Sequence, residues 1–127
     1  MDIRITPGKL CGTLEAPPSK SHAHRLMTAV ALAGKKNSES FCTSEDTRAT
    51  FRCLNELHDG GILDCGESGT TLRFLLPVAS ALGINAEFIG HGRLPERPMS
   101  ALNNALRENG AVISADNLPI KVSGQLH

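Results

Sequence analysis

The sequence contains no tryptophan and no tyrosine, and aromatic residues make up only 3% of its 127 positions. Platforms for stacking the bases of single-stranded nucleic acid are therefore missing, and a core has to be built from Leu, Ala, Val and Ile. Charge of one sign is also missing, since 13 Lys and Arg balance 13 Asp and Glu. A surface for nucleic acid or an anionic membrane usually carries a basic excess, so neither is an expected partner. There is no Cys-x-x-Cys pair. Cys11, Cys42, Cys53 and Cys65 stand far apart, a spacing that suggests neither a zinc site nor a disulfide framework and reads as scattered reduced core thiols. The longest apolar stretches, Leu26 to Ala33 and Leu72 to Leu82, are too short to span a bilayer and are interrupted by Thr, Arg, Pro or Ser. The first residues lack the n-region and h-region of a signal peptide. The expectation is a soluble, cytoplasmic chain of one domain's length, long enough to bury a core. With 40% hydrophobic and 20% charged residues it is globular in composition.

What is present reads as a mixed α/β (α+β) chain. Ile3 and Ile5, then Leu10, Gly12 and Leu14 after a Pro7-Gly8 turn, predict a short hairpin, closed by Pro17-Pro18. Ser19 to Gly34 predicts a helix with Ser19 or Ser21 as its cap, apolar nearly all round in its middle and hence buried. Ser38 to Cys42 predicts a strand, and Glu45 to Leu57 a second helix capped by Thr43 or Ser44. His58-Asp59-Gly60-Gly61 is a turn before Ile62-Leu63-Asp64. Gly66 to Thr70 opens a third helix that runs to Gly83, with Pro77 as a kink. Ala86 to Ile89 is a strand, Pro98 starts a fourth helix ending near Asn109-Gly110, and strands follow at Ala111 to Ala115 and Pro119 to Ser123.

This order repeats with a period of about 48 residues, in the range of a duplicated supersecondary unit. Arg25 and Arg73, Phe41 and Phe88, and Leu54 and Leu102 occupy corresponding places. Residues 19–61 form a first, shortened repeat and residues 62–127 a second. The first copy lacks the closing pair of strands, and the turn at residues 58–61 stands in its place.

Three segments carry anion-binding chemistry. In Pro17-Pro18-Ser19-Lys20-Ser21-His22-Ala23-His24-Arg25, a helix start with unpaired N–H groups is joined by Lys20 and a hydroxyl, and Ser21 and Arg25 share one face. In Gly66-Glu67-Ser68-Gly69-Thr70-Thr71-Leu72-Arg73, glycines allow close backbone approach at another helix start. This is not a P-loop, because no Lys follows the glycine, and Glu67 repels an anion unless it points away or pairs with a base. In Gly92-Arg93-Leu94-Pro95-Glu96-Arg97-Pro98, two prolines pre-set two arginines. Each segment taken alone also reads as a plain capped helix start or a solvated loop. His22 and His24 point in different directions and suggest no metal site. His58, His91 and His127 have no partner spacing, and Glu45 and Asp46 read as partners of a helix N-terminus.

In series with Ser44-Glu45-Asp46-Thr47-Arg48, these segments resemble the enolpyruvyltransferase family, specifically the 5-enolpyruvylshikimate-3-phosphate synthases. The resemblance implies repeated β-α-β-α-β-β units, no metal or organic cofactor, and transfer of enolpyruvyl from phosphoenolpyruvate to the 5-hydroxyl of shikimate 3-phosphate. By the same resemblance Lys20 lies between both substrates, and Ser21 and Arg25 hold the shikimate carboxylate. Gly69, through its N–H, and Arg97 hold the phosphoenolpyruvate phosphate, while Thr70 and Arg73 shape the loop. The chain departs from the family's pattern at Pro18 (commonly Gly), His24 (commonly Asn) and Glu67 (frequently Asn). It also stops before the family's Ser-Ser-Gln segment and lacks the half that carries proton transfer, which implies little or no turnover alone. Two other readings stay open: a sibling enzyme acting on a UDP-amino sugar, and a non-catalytic folding or interaction module prone to self-association.

Overall fold

A computed structural model describes residues 2–9 and 11–127; Met1 and Leu10 lie outside the described residues. The elements run α1 (Lys20–Leu32), α2 (Glu45–Glu56), β1 (Gly61–Asp64), α3 (Gly69–Leu82), β2 (Ala86–Ile89), α4 (Ser100–Glu108), β3 (Val112–Ile113) and β4 (Ile120–Ser123), with short 3-10 turns at Glu39–Phe41, Leu57–Asp59 and Leu94–Glu96. One four-stranded sheet has the order β1-β2-β4-β3. The β1–β2 pair is parallel, with α3 as the crossover, and the other two pairs are antiparallel. From β1 onward the element order is β-α-β-α-β-β.

A crossover helix can join parallel strands only if it packs on their face. Accordingly Leu72, Leu75, Leu76 and Ala79 of α3 are fully buried, as are Leu63 of β1, Phe88 of β2 and Ile120 of β4. The opposite face of the sheet is open: Ile62 is 61% and Val112 62% exposed. Gly83, with φ of 67°, ends α3 in the left-handed conformation, and Pro77 sits inside α3 without ending it.

Several expectations are corrected. No strand occurs among the described residues of the segment 2–18, so the hairpin is absent there, and its Leu10 lies outside the described residues. Ile3, Ile5 and Leu14 are exposed, and nothing packs on the alternation that predicted strands. Within the segment 38–42 the chain makes the 3-10 turn Glu39–Phe41, because the Ser38 side chain accepts from the Ser40 N–H and bends the chain. Phe41 therefore does not match Phe88 as a strand residue. Helix α1 is only half-buried: Ala23, His24 and Met27 are inside, whereas Leu32 is 52% exposed. An all-apolar helix needs cover on two sides, and here it leans mainly on α2. Helix α4 starts two residues after Pro98, with Met99 as N-cap. Only two of the four cysteines are core thiols: Cys53 and Cys65 are buried, but Cys11 is exposed and Cys42 half-buried.

The packing gives a first expectation. Ile120→Val, at a fully buried site, should cost about 1 kcal/mol, whereas Ile62→Val on the open face should stay within about 0.5 kcal/mol. Urea unfolding of both variants measures the difference.

Candidate functional site

The starts of α1, α2 and α3 meet. Each is capped in the same way: Ser19, Ser44 and Ser68 accept from the N–H three residues on, at His22, Thr47 and Thr71. This cap relieves one of the four unpaired N–H groups at a helix start and leaves the first amides facing outward. Lys20 Nζ lies 2.6 Å from Asp46 Oδ2, joining the first turns of α1 and α2. One turn deeper His24 Nδ1 is 2.7 Å from Thr50 Oγ1. The two pairs have the same sequence separation, so α1 and α2 run parallel there. The Thr71 hydroxyl reaches the Asp46 carbonyl at 3.3 Å and brings in the start of α3.

Over the start of α3 two guanidinium groups converge. A Cβ added at Gly69 would stand 2.7 Å from Arg97 Nη1 and 3.0 Å from Arg73 Nη1. Gly69 is thus the floor on which both arginines rest, a close approach that only glycine permits. Arg73 donates to the Pro98 carbonyl at 3.2 Å, which ties the α3 arginine to the loop bearing Arg97. A cavity of about 350 Å³ opens beside them, lined by Arg93, Glu96, Arg97 and Pro98. Two cations over a helix N-terminus can seat a dense anion, with Glu96 lining the adjoining cavity.

Glu67 does not occupy that seat. Its carboxyl lies against Gly92, where a Cβ would collide with it, and its Oε1 is 3.8 Å from His91 Nδ1. The basic and acidic sides of the loop are thereby separated.

Of the residues singled out from sequence, Gly69, Arg73 and Arg97 come together, and Lys20 is held by Asp46. Ser21 and Arg25 are exposed on the same helix as Lys20, with Thr70 half-buried in the first turn of α3. Sequence reading missed two things. Asp46 is a side-chain partner of Lys20 as well as an acidic residue near a helix start; the signal was its position beside Ser44 in a motif already noted. Buried His24, Thr50 and Thr71 gave no signal, because their contacts are 21 to 26 residues apart. A larger cavity, about 520 Å³, lies away from these arginines, between the ends of α1 and α2 near Lys35, Phe51 and His58.

The profile of EPSP synthase (3-phosphoshikimate 1-carboxyvinyltransferase) matches residues 58–127, more than half of the chain. The chain belongs to the EPSP synthase family. It is 32% identical to a 3-phosphoshikimate 1-carboxyvinyltransferase of Clostridium novyi over 99% of its own length and 36% of the relative's. It is 33% identical to that of Methanocorpusculum labreanum over 98% of its length and 35% of the relative's. It therefore spans about a third of the curated relatives it matches. The alignment to the Clostridium novyi protein runs over 158 positions against 127 residues here, so at least 31 positions have no counterpart in this chain. An EPSP synthase structure from Acinetobacter baumannii superposes with a TM-score of 0.73 at 23% identity, covering 91% of this chain and 33% of that one, a likeness of fold. No helix of the described residues is long and apolar enough to cross a membrane.

Because the atoms that a Cβ at 69 would meet are the ends of flexible side chains, Gly69→Ala should fold with stability changed by less than about 1 kcal/mol. It should nevertheless push both guanidinium groups off the helix start. An unchanged Tm with weakened phosphate binding, measured by calorimetry, is the expected pair of results.

Proposed function

We propose that this chain supplies one wall of a two-substrate cleft for enolpyruvyl transfer from phosphoenolpyruvate to shikimate 3-phosphate. The observation that carries the reading is the convergence of Arg73 and Arg97 on Gly69, beside a helix start where Lys20 is pinned by Asp46. Family membership supplies the reaction class. In it a hydroxyl loses its proton and adds to C2 of phosphoenolpyruvate, an enol phosphate, as C3 takes a proton; the tetrahedral intermediate then loses phosphate and a C3 proton, leaving an enol ether. Both substrates are anions, so bringing them together requires cations fixed in advance.

In this reading Gly69 N–H and Arg97 hold the phosphate of phosphoenolpyruvate. Arg73, together with Thr70, shapes the loop. Ser21 and Arg25, one helical turn apart on α1, hold the shikimate carboxylate, and Lys20 sits between the two. When an anion arrives, Lys20 exchanges part of its bond to Asp46 for the ligand. Residues 19–61 are a shortened first repeat and residues 62–127 the second, and the protein works in the cytoplasm. The 127 residues hold part of each substrate's contacts and none of the proton-transfer groups the family resemblance assigns, so by themselves they bind without turnover. Exposed Ile3, Ile5 and Leu14 support self-association of the chain.

Ligand-induced stabilisation tests the reading. Shikimate 3-phosphate and phosphoenolpyruvate should each raise Tm, Arg97→Ala should abolish the phosphoenolpyruvate response, and a UDP-amino sugar should leave Tm unchanged. A response to the sugar nucleotide alone would move the chain to the sibling activity. Phosphate release from the two substrates by this polypeptide would overturn the expected lack of turnover. Sedimentation at rising concentration checks the self-association, which a strictly monomeric profile would exclude.

A further inference from the structure

Behind the anion seats runs a buried chain of hydrogen bonds that the proposed chemistry leaves unused. His24 Nδ1 is 2.7 Å from Thr50 Oγ1, Thr50 Oγ1 is 2.7 Å from Thr71 Oγ1, and Thr71 Oγ1 donates to Ser68 Oγ at 2.7 Å. All four side chains are at most 1% exposed. One end stands on α1, three residues after Ser21 and one before Arg25. The other end is the N-cap of α3, directly before Gly69.

Thr71 Oγ1 donates to Ser68 Oγ, so all three bonds are filled when Thr50 donates to Thr71 and accepts from Nδ1–H of His24. That tautomer leaves Nε2 as a bare acceptor, and Nε2 is buried with no hydrogen-bond partner. A buried polar atom without a partner in an otherwise satisfied network calls for a reason.

We propose that this chain sets the register between the two anion seats, with neutral His24 as a positioning residue that acts through Thr50, Thr71 and Ser68 on the Gly69 amide. The inference rests on the anion-binding reading above. Protonation at Nε2 would put a cation in the core. Burial holds the His24 pKa below the ordinary histidine value; the Asp46 carboxylate of α2 pulls it back up and Lys20 of its own helix lowers it further. From helix α3 the uncharged Phe74 ring stands edge-on to His24 at 6.5 Å, and Thr71 bonds Thr50. Since the folded pKa lies below the unfolded one, the contribution is whole above the ordinary histidine pKa and is lost as pH falls below it.

Amide NMR of the 127-residue chain tests this, with sulfate as the probe because its charge is constant over the range. Between about pH 8 and pH 5 the Ser68 and Gly69 amides should shift in one step with the His24 ring. Sulfate affinity should fall over the same step by about threefold or more. His24→Asn keeps a donor without a titration, so it should bind sulfate at high pH and lose the step. His24→Leu should weaken sulfate binding by about tenfold at all pH values, with helical circular dichroism unchanged. Gly69 amide shifts that ignore His24, or a His24→Leu variant that binds like the native chain, would overturn the proposal. If the native chain binds no sulfate at all, the anion reading fails, and the coupled amide shifts alone decide the relay.

Discussion

Three helix starts brought side by side carry three positive dipole ends, and such ends repel one another unless something negative or polar lies between them. Here the Asp46 group answers with both of its polar ends. Its carboxylate takes Lys20 from α1, and its backbone carbonyl takes the Thr71 hydroxyl from α3. The Ser caps at 19, 44 and 68 each remove one unpaired N–H, and the buried hydroxyls at 50 and 71 pair with one another beneath them. Over the start of α3 stand Arg73 and Arg97. Their convergence on Gly69 is therefore tied to how the helices are allowed to pack.

The sheet holds that arrangement from below. Helix α3 is fixed by Leu72, Leu75, Leu76 and Ala79 against Leu63, Phe88 and Ile120, so the direction of its first turn follows from the parallel β1–β2 pair. Cys65, between β1 and the loop, donates its N–H to the Ile89 carbonyl at 2.9 Å, and His91 N–H reaches the Gly66 carbonyl at 2.9 Å. The loop before Gly69 is thus clamped to the end of β2, from which the Arg97 loop departs. Two arginines 24 positions apart meet because both hang from adjacent parallel strands.

Much of this was legible where the signal is local. Helices α2 and α3 and strand β2 follow from caps, periodicity and a terminal glycine, all carried within a few residues. The failures share a cause. Residues 3–14 and 38–42 have the alternation of strands, but a strand needs a neighbour to complete its hydrogen bonds, and among the described residues none is offered. Likewise α1 reads as buried on all sides because its apolar residues do not reveal which side lacks a partner. The motif residues were readable singly. That Gly69 supports both Arg73 and Arg97, and that Glu67 leans on Gly92 and His91, depends on how distant segments cross.

The chain enters the sheet at the end of α2 opposite to the three capped helix starts. Helix α2 ends at Glu56, the Leu57–Asp59 turn follows, and Gly60 and Gly61, at φ of 67° and 94°, reverse the chain into β1. A side chain at 60 would also meet the Asn85 carbonyl at 2.8 Å, so glycine is needed both for the turn and for the approach to β2. This junction lies at the C-terminal end of α2, whereas every contact that builds the seat, at Asp46 and Thr50, lies in its first half. A helix transmits little of a change at one end to the other when its middle is anchored, as Ala49, Cys53 and Leu54 anchor it here. The Gly60-Gly61 turn and the contacts that join the three capped starts therefore sit at opposite ends of α2.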